Sequence, residues 1–161
     1  MKILKEIIPY IFIIIIVVFI RTLIITPAKV DGDSMKSTLY DGEIVFINKI
    51  SLRTEGINRF DMVVIKQDDD LLIKRIIGMP GEEIQYINDE LYINSKKMDT
   101  PIDFEKTKDF SGIVKENEYF VLGDNRDDSK DSRYFGGVSK NSIKGKVRFV
   151  LLPFKHFGKV E

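Results

Sequence analysis

The sequence predicts a mainly β domain of antiparallel sheets, joined to one N-terminal transmembrane helix. Three observations predict it. The chain opens on a long uncharged apolar run, Ile7 to Ile20 (IIPYIFIIIIVVFI). Beyond residue 30 its apolar residues fall in short β-branched and aromatic segments punctuated by Gly and Asp, with no long amphipathic helical period. Charge is divided unevenly: taking Lys2, Lys5 and Glu6 from 25 basic and 25 acidic residues leaves 23 and 24 for positions 21–161. The first segment is a different material from the rest.

The length of 161 residues supports one domain of ordinary size with a small appendage. A formal net charge of zero offers no basic field for nucleic acid, so no nucleic-acid partner is expected. With 43% hydrophobic and 31% charged residues, the bulk should fold. Zero Cys excludes disulfides, thiolate nucleophiles and thiolate metal sites. His156 is the only histidine, so no His-rich metal site exists and only one imidazole base is available. No metal or other cofactor is expected.

From Ile7 to Ile25 the run is 19 residues. As a helix it measures roughly 28 Å, close to the ~30 Å hydrocarbon core of a bilayer. Pro9 falls in its first turn and Pro27 just beyond its end, and Arg21 can snorkel to the interface. A cleaved secretory signal also begins with Lys residues before an apolar core, but this run is long. The following Thr26-Pro27-Ala28-Lys29-Val30 lacks two small residues in an A-x-A arrangement. A buried all-apolar helix would need a larger protein around it. The reading is therefore a short N-terminus at 1–6, an anchor at 7–26 that takes the lipid bilayer as partner, and a domain at 27–161. Local charge does not orient it, because Lys2 and Lys5 flank one end while Arg21, Lys29 and Lys36 flank the other.

Within the domain, Glu43 to Lys49 reads as a strand. Met62 to Lys66 and Leu71 to Ile77 flank a polar Gln67-Asp68-Asp69-Asp70 turn as a hairpin. Glu83 to Ile87 and Leu91 to Ile93 make a second hairpin around Asn88-Asp89-Glu90. Glu118 to Leu122 and Lys146 to Leu152 complete the set, and Ser95 to Lys115 reads as loop or the edge of a subdomain. The core is expected from 30–82 and 118–155, with 83–117 a smaller β elaboration. His156 lies in a C-terminal tail and reads as a surface or packing residue.

Three segments carry residues that folding alone does not demand. In Asp31-Gly32-Asp33-Ser34-Met35-Lys36-Ser37-Thr38-Leu39, Gly32 permits a tight turn that exposes the Ser34 hydroxyl and N–H. In Leu71 to Glu82, Lys74 and Arg75 are adjacent cations inside an aliphatic strand. A period of two puts Lys74 on the face of Leu72 and Ile76 and Arg75 on the other, so one cation must face the buried side. A buried lysine loses solvation, its pKa falls, and a neutral amine can accept a serine proton; the alternative is an edge strand with both cations solvated. Gly123 to Arg133 (GDNRDDSKDSR) has no apolar side chain and cannot be core. A calcium loop fails there: starting at Asp127, Ser132 stands where Gly is needed and Val138 where Glu is needed. What remains is a loop of carboxylates, guanidinia and hydroxyls able to pair internally and hold a site rigid.

Together these segments resemble the bacterial type I signal peptidases (leader peptidases), in the compact Gram-positive form. The serine box stands as Ser34-Met35-Lys36-Ser37-Thr38-Leu39, the lysine box as Lys74-Arg75-Ile76-Ile77-Gly78-Met79-Pro80-Gly81, and the GDNRxxSxDSR box is complete from Gly123 to Arg133. The resemblance implies a signal-peptidase-like catalytic core and a membrane-bound serine endopeptidase that removes signal peptides from preproteins. Ser34 would be nucleophile and Lys74 general base in a Ser–Lys dyad. Ser129 would orient the Lys74 amine, Asp131 and Arg133 would pair to brace the site, Asp124 would support the loop, and the Ser34 N–H would donate to the oxyanion. Arg75 belongs to the box without an assignable role. The resemblance also implies a cytoplasmic N-terminus and an extracytoplasmic domain.

Two positions depart from the family pattern. Ser37 stands where Pro is usual, which makes the turn after the nucleophile less rigid. Gly32 stands where some relatives carry an oxyanion-donating Ser, a loss that can cost about 3 kcal/mol where that bond is used. The compact relatives share this Gly. Two rivals remain: a catalytically silent, membrane-tethered peptide-binding paralogue, and a soluble self-cleaving repressor of the LexA type. The intact Ser34 and Lys74 argue against the first, and the apolar N-terminal run argues against the second.

Overall fold

A computed structural model describes residues 2–23, 25–102, 104 and 106–160 of the chain. Helix α1 spans Lys2–Leu23. It begins before the apolar run because Lys2 to Glu6 are themselves good helix formers, so Pro9 lies inside it rather than in its first turn. The described side chains on α1, Glu6 to Val18, are all exposed. These cover 13 residues, roughly 20 Å of helix. No helix of the described residues is long and apolar enough to cross a membrane.

The helix gives way to strand β1, Ile25–Lys29, two to three residues earlier than the predicted end of the anchor. Pro27 is tolerated because β1 is an edge strand. Strands β2 (Ile44–Asn48), β3 (Met62–Gln67) and β4 (Asp70–Gly78) follow, with the one-turn helix α2 (Ser51–Thr54) between β2 and β3. A small sheet comes next: β5 (Glu83–Ile87), β6 (Glu90–Ile93), β7 (Lys96–Lys97) and β8 (Phe110–Ile113). Strand β9 (Glu118–Leu122), the short helix α3 (Ser132–Phe135), β10 (Val138–Ser139), β11 (Ile143–Leu152) and β12 (Gly158–Lys159) close the chain.

The large sheet is ordered β1-β2-β11-β3-β4-β9-β10, with β12 paired to β11, and the small one β7-β6-β5-β8. Every pairing is antiparallel, as the sequence predicts. Asn88 and Asp89 both take positive φ, 51° and 69°. The β5–β6 turn is therefore a two-residue turn whose twist suits a hairpin. Ser95 to Lys115, predicted as loop or subdomain edge, supplies β7 and β8. The isolated apolar residues of β8 gain their pattern only from pairing with β5.

Both faces of the large sheet are covered. On β3, Met62 and Val64 enter one cluster with Met35, Leu39, Val45 and Val147, while Val63 and Ile65 enter another with Ile76, Val121 and Ile143. A third cluster, Ile77, Ile84, Tyr86, Leu91, Val114 and Leu122, seats the small sheet on the ends of β4 and β9.

Candidate active site

The site forms where β4 loses a neighbour. Strand β9 meets β4 only from Arg75 onward, pairing Leu122 with Arg75, because the chain leaves the sheet at Gly123. Among the described residues, the stretch from Asp70 to Lys74 pairs with β3 alone. The loop 123–131 and the turn 31–39 fill the end of that gap.

Two hydrogen bonds from Asn125, one backbone and one side-chain, lock turn to loop. The Asn125 N–H donates to the Ser34 carbonyl at 3.1 Å, and Asn125 Nδ2 donates to the Asp33 carbonyl at 3.2 Å. Thr38 Oγ1 adds a 2.6 Å bond to Asp124 Oδ2. Gly123 is required by close approach: a Cβ there would lie 2.2 Å from Ser129 Oγ and 2.4 Å from the Ser34 carbonyl oxygen. Ser37 takes φ 83°, a conformation closed to proline, so its departure from the family pattern changes the turn's shape and not merely its rigidity.

Within this frame Lys74 Nζ donates to Ser34 Oγ over 2.6 Å. Lys74 is 2% exposed. Burial pulls its ammonium down from 10.5 to about 8; attraction to Asp131, Asp124 and Asp128 opposes the fall and repulsion from Arg133 adds to it. Among the described residues the Ser34 N–H has no hydrogen-bond acceptor.

Arg75 is also buried, at 1%. The sequence required one of the two cations to face inward; the fold buries both, because a carboxylate meets Arg75 on its own face. Its Nε and Nη2 clasp Asp124 Oδ1 and Oδ2 at 2.9 and 2.8 Å, and Nη1 donates to the Phe60 carbonyl. This supplies Arg75 with a function the sequence left blank: it anchors Asp124, which in turn holds Thr38.

Asp131 and Arg133 pair in the same bidentate way, at 2.8 Å for both bonds. Asp131 caps α3 through the Arg133 N–H and accepts from the Gly123 N–H at 3.1 Å. Ser129 is buried beside Gly123, but its Oγ has no hydrogen-bond partner among the described residues, Lys74 included. His156 is held by Glu43, with Nδ1 2.6 Å from Oε1, and packs against Tyr40; neither contact reaches Ser34 or Lys74. Sequence reasoning missed Thr38, Asn125 and Arg126 as working residues, although all three lie inside the motifs. Nothing in the sequence connects Glu43 to His156. Among the described residues no three His, Asp or Glu side chains converge as metal ligands.

The chain is similar to relatives of known identity. Signal peptidase IB of Staphylococcus aureus is 37% identical over 166 residues, covering 89% of this chain and 86% of its own. Signal peptidase I S of Bacillus subtilis is 41% identical over 160 residues, covering 91% and 87%. The crystal structure of a signal peptidase I from Enterococcus faecalis superposes with a TM-score of 0.51 at 35% identity, over 56% of this chain and 95% of that one. Residues 3–152 match the family described as signal peptidase, peptidase S26, and the chain belongs to that family.

Proposed function

We propose that this chain is a membrane-anchored serine endopeptidase that removes N-terminal signal peptides from secreted preproteins with a Ser34–Lys74 dyad. The observation that carries the dyad is the 2.6 Å contact between Ser34 Oγ and a buried lysine whose pKa is lowered to about 8.

The neutral Lys74 amine takes the Ser34 proton as Oγ attacks the scissile carbonyl. The oxyanion receives the free Ser34 N–H. The Lys74 ammonium then gives its proton to the leaving amine, which departs as the new N-terminus of the mature protein. The signal peptide remains as an ester on Ser34. Water, deprotonated by Lys74, hydrolyses that ester and frees Oγ. Ser129 Oγ is a free hydroxyl near this pair and would accept from the ammonium while it holds the proton. Asp131 and Arg133 keep the loop in place, and Asp124 with Arg75 holds the far side of the turn.

The open edge of β4 beside Ser34 suits an extended peptide added as a strand, with Leu71 and Ile73 turning their backbone groups toward it. The exposed apolar side chains of α1 support an anchor at roughly 7–26. A short cytoplasmic N-terminus and an extracytoplasmic domain then put Ser34 about nine residues from the lipid, at the surface where a signal peptide leaves the bilayer.

Purified full-length chain in detergent micelles should cleave a preprotein, and Ser34→Ala and Lys74→Ala should each abolish cleavage while leaving the fold intact. Cleavage by folded Ser34→Ala would overturn the assignment. Protease added to intact protoplasts should degrade the chain beyond residue 30; full protection would reverse the topology.

A further inference from the structure

Arg126 is 2% exposed, and no carboxylate among the described residues pairs with it. A buried cation without a counterion is costly unless other groups receive it. Its receivers come from two parts of the molecule. In the catalytic loop, Nε donates to the Gly123 carbonyl at 2.8 Å. From the small-sheet segment, Tyr86 Oη and Thr107 Oγ1 both accept from Nη1 at 2.9 Å. The guanidinium also lies 4.3 Å from the Phe104 ring centre and 5.3 Å from that of Tyr86, within cation–π range. One rigid planar group thus ties the elaboration at 83–117 to the loop that backs the nucleophile.

We propose that Arg126 is a positioning residue through which the small sheet holds Gly123 against the Ser34 turn, fixing the geometry of the Ser34–Lys74 pair. This rests on the dyad reading above. Gly123 is pinned from three sides: its carbonyl by Arg126, its N–H by Asp131, and its Cα by Ser129 and the Ser34 carbonyl. The Arg126 carbonyl in turn receives Arg133 Nη2 at 2.7 Å, so the guanidinium that braces Asp131 hangs on the same residue.

The consequence for chemistry runs through Lys74. Lys74 bonds to Ser34, and the charges acting on it are Asp131, Asp124, Arg133 and Asp128, all four in the 123–133 loop. Release of Gly123 lets the loop retreat and admits water to the amine. Burial is the larger influence on Lys74, so its relief outweighs the weakened pull of Asp131 and the ammonium becomes harder to deprotonate.

The test uses the full-length chain in detergent micelles cleaving a preprotein, with kcat, KM and the acidic limb of the kcat–pH profile measured. Arg126→Met should lower kcat about tenfold with KM nearly unchanged, and should move the acidic limb upward by roughly half a pH unit. Tyr86→Phe combined with Thr107→Val, both remote from the reacting atoms, should shift the limb in the same direction. That pair of changes should have no further effect in an Arg126→Met background. A melting temperature that falls while kcat and the limb stay in place would make Arg126 a stabilising residue only and overturn the proposal. Should Arg126→Met not fold, the Tyr86→Phe, Thr107→Val enzyme decides in its place: an unmoved limb overturns the proposal. A wild-type enzyme without an acidic limb near 8 would instead overturn the dyad assignment, independently of Arg126.

Discussion

Lys74→Met is expected to destroy turnover and raise stability at the same time, an unusual pairing that follows from the sign of one pKa shift. In the folded chain the Lys74 ammonium titrates at about 8 against an ordinary 10.5. Between those values the unfolded chain binds more protons than the folded one, so stability climbs as pH rises through that window. Below pH 8 the folded state carries the full cost of a charged, buried amine, which the shift puts at roughly 3 kcal/mol. Met fills similar volume without charge. Setting about 1 kcal/mol for the lost Ser34 hydrogen bond against that cost leaves a gain of about 2 kcal/mol at pH 6. The gain should shrink to nothing, or reverse, above pH 10.5. Urea unfolding of the full chain in micelles at pH 6, 8 and 10.5 measures it. A Lys74→Met protein less stable than wild type at pH 6, or a gap that ignores pH, would refute the reasoning.

The same shift sets the rate profile. At pH 7 about one Lys74 in ten is neutral, against roughly one in three thousand for an unperturbed lysine. Turnover should therefore rise through a single ionisation near 8. Lys74→Arg should be inactive throughout, because a guanidinium does not give up its proton in this range.

Gly123→Ala should cost turnover about a hundredfold, since its Cβ meets the Ser34 carbonyl as well as Ser129 Oγ, and adding Ser129→Ala should not restore it. Arg75→Met should lose about 3–5 kcal/mol by stranding Asp124, yet keep turnover per folded molecule within a few-fold, because Arg75 points away from Lys74; adding Asp124→Leu should recover most of the stability. His156→Ala should leave kcat unchanged, as its ring engages Glu43 and Tyr40 rather than Ser34 or Lys74, and a dead but folded variant would mean the base is misassigned. Ser37→Gly should gain about 1 kcal/mol by relieving a left-handed backbone, while Ser37→Pro should lose more than that, both read from denaturant midpoints.

The hairpins were legible because their information is local. Met62 to Ile77 and Glu83 to Ile93 carry two β-rich runs with a polar turn between them, and both formed as read. Strand β8 was not, since nothing in Phe110 to Ile113 marks it as sheet until β5 lies beside it. At the site, adjacency of Lys74 and Arg75 in an aliphatic strand signalled a buried cation. It did not signal two, because Asp124 stands 49 residues away in sequence. The expectation that Ser129 orients the Lys74 amine came from family likeness, and the structure leaves that hydroxyl beside the pair without a bond to it. In the sequence Arg126 is one more polar residue of the loop; only folding brings Phe104, Thr107 and Tyr86 around it.

What sets the surroundings of Lys74 apart is clearest beside Lys146, the other lysine buried among the described residues. Lys146 on β11 pairs with Val63, and Val63 pairs with Lys74, so the two amines rise from the same face of the sheet one strand apart. Their burial is alike, at 0% and 2%. Lys146 meets a carboxylate, Asp61 Oδ2, at 2.6 Å; Lys74 meets a neutral hydroxyl, Ser34 Oγ, at the same 2.6 Å. Burial alone therefore does not distinguish them. The carboxylate brings an opposite charge to Lys146, whereas the serine brings none to Lys74 and leaves its desolvation cost largely standing. The surrounding acids are placed to respect this difference. Asp124 is clasped by Arg75, and Asp131 by Arg133, and neither carboxylate accepts a hydrogen bond from the amine. The loop's two buried carboxylates are thus held by guanidinia, one from β4 and one from the loop itself. Lys74, which no carboxylate contacts among the described residues and which stands beside the unpaired stretch of β4, is the amine to which the proposed dyad assigns the serine proton.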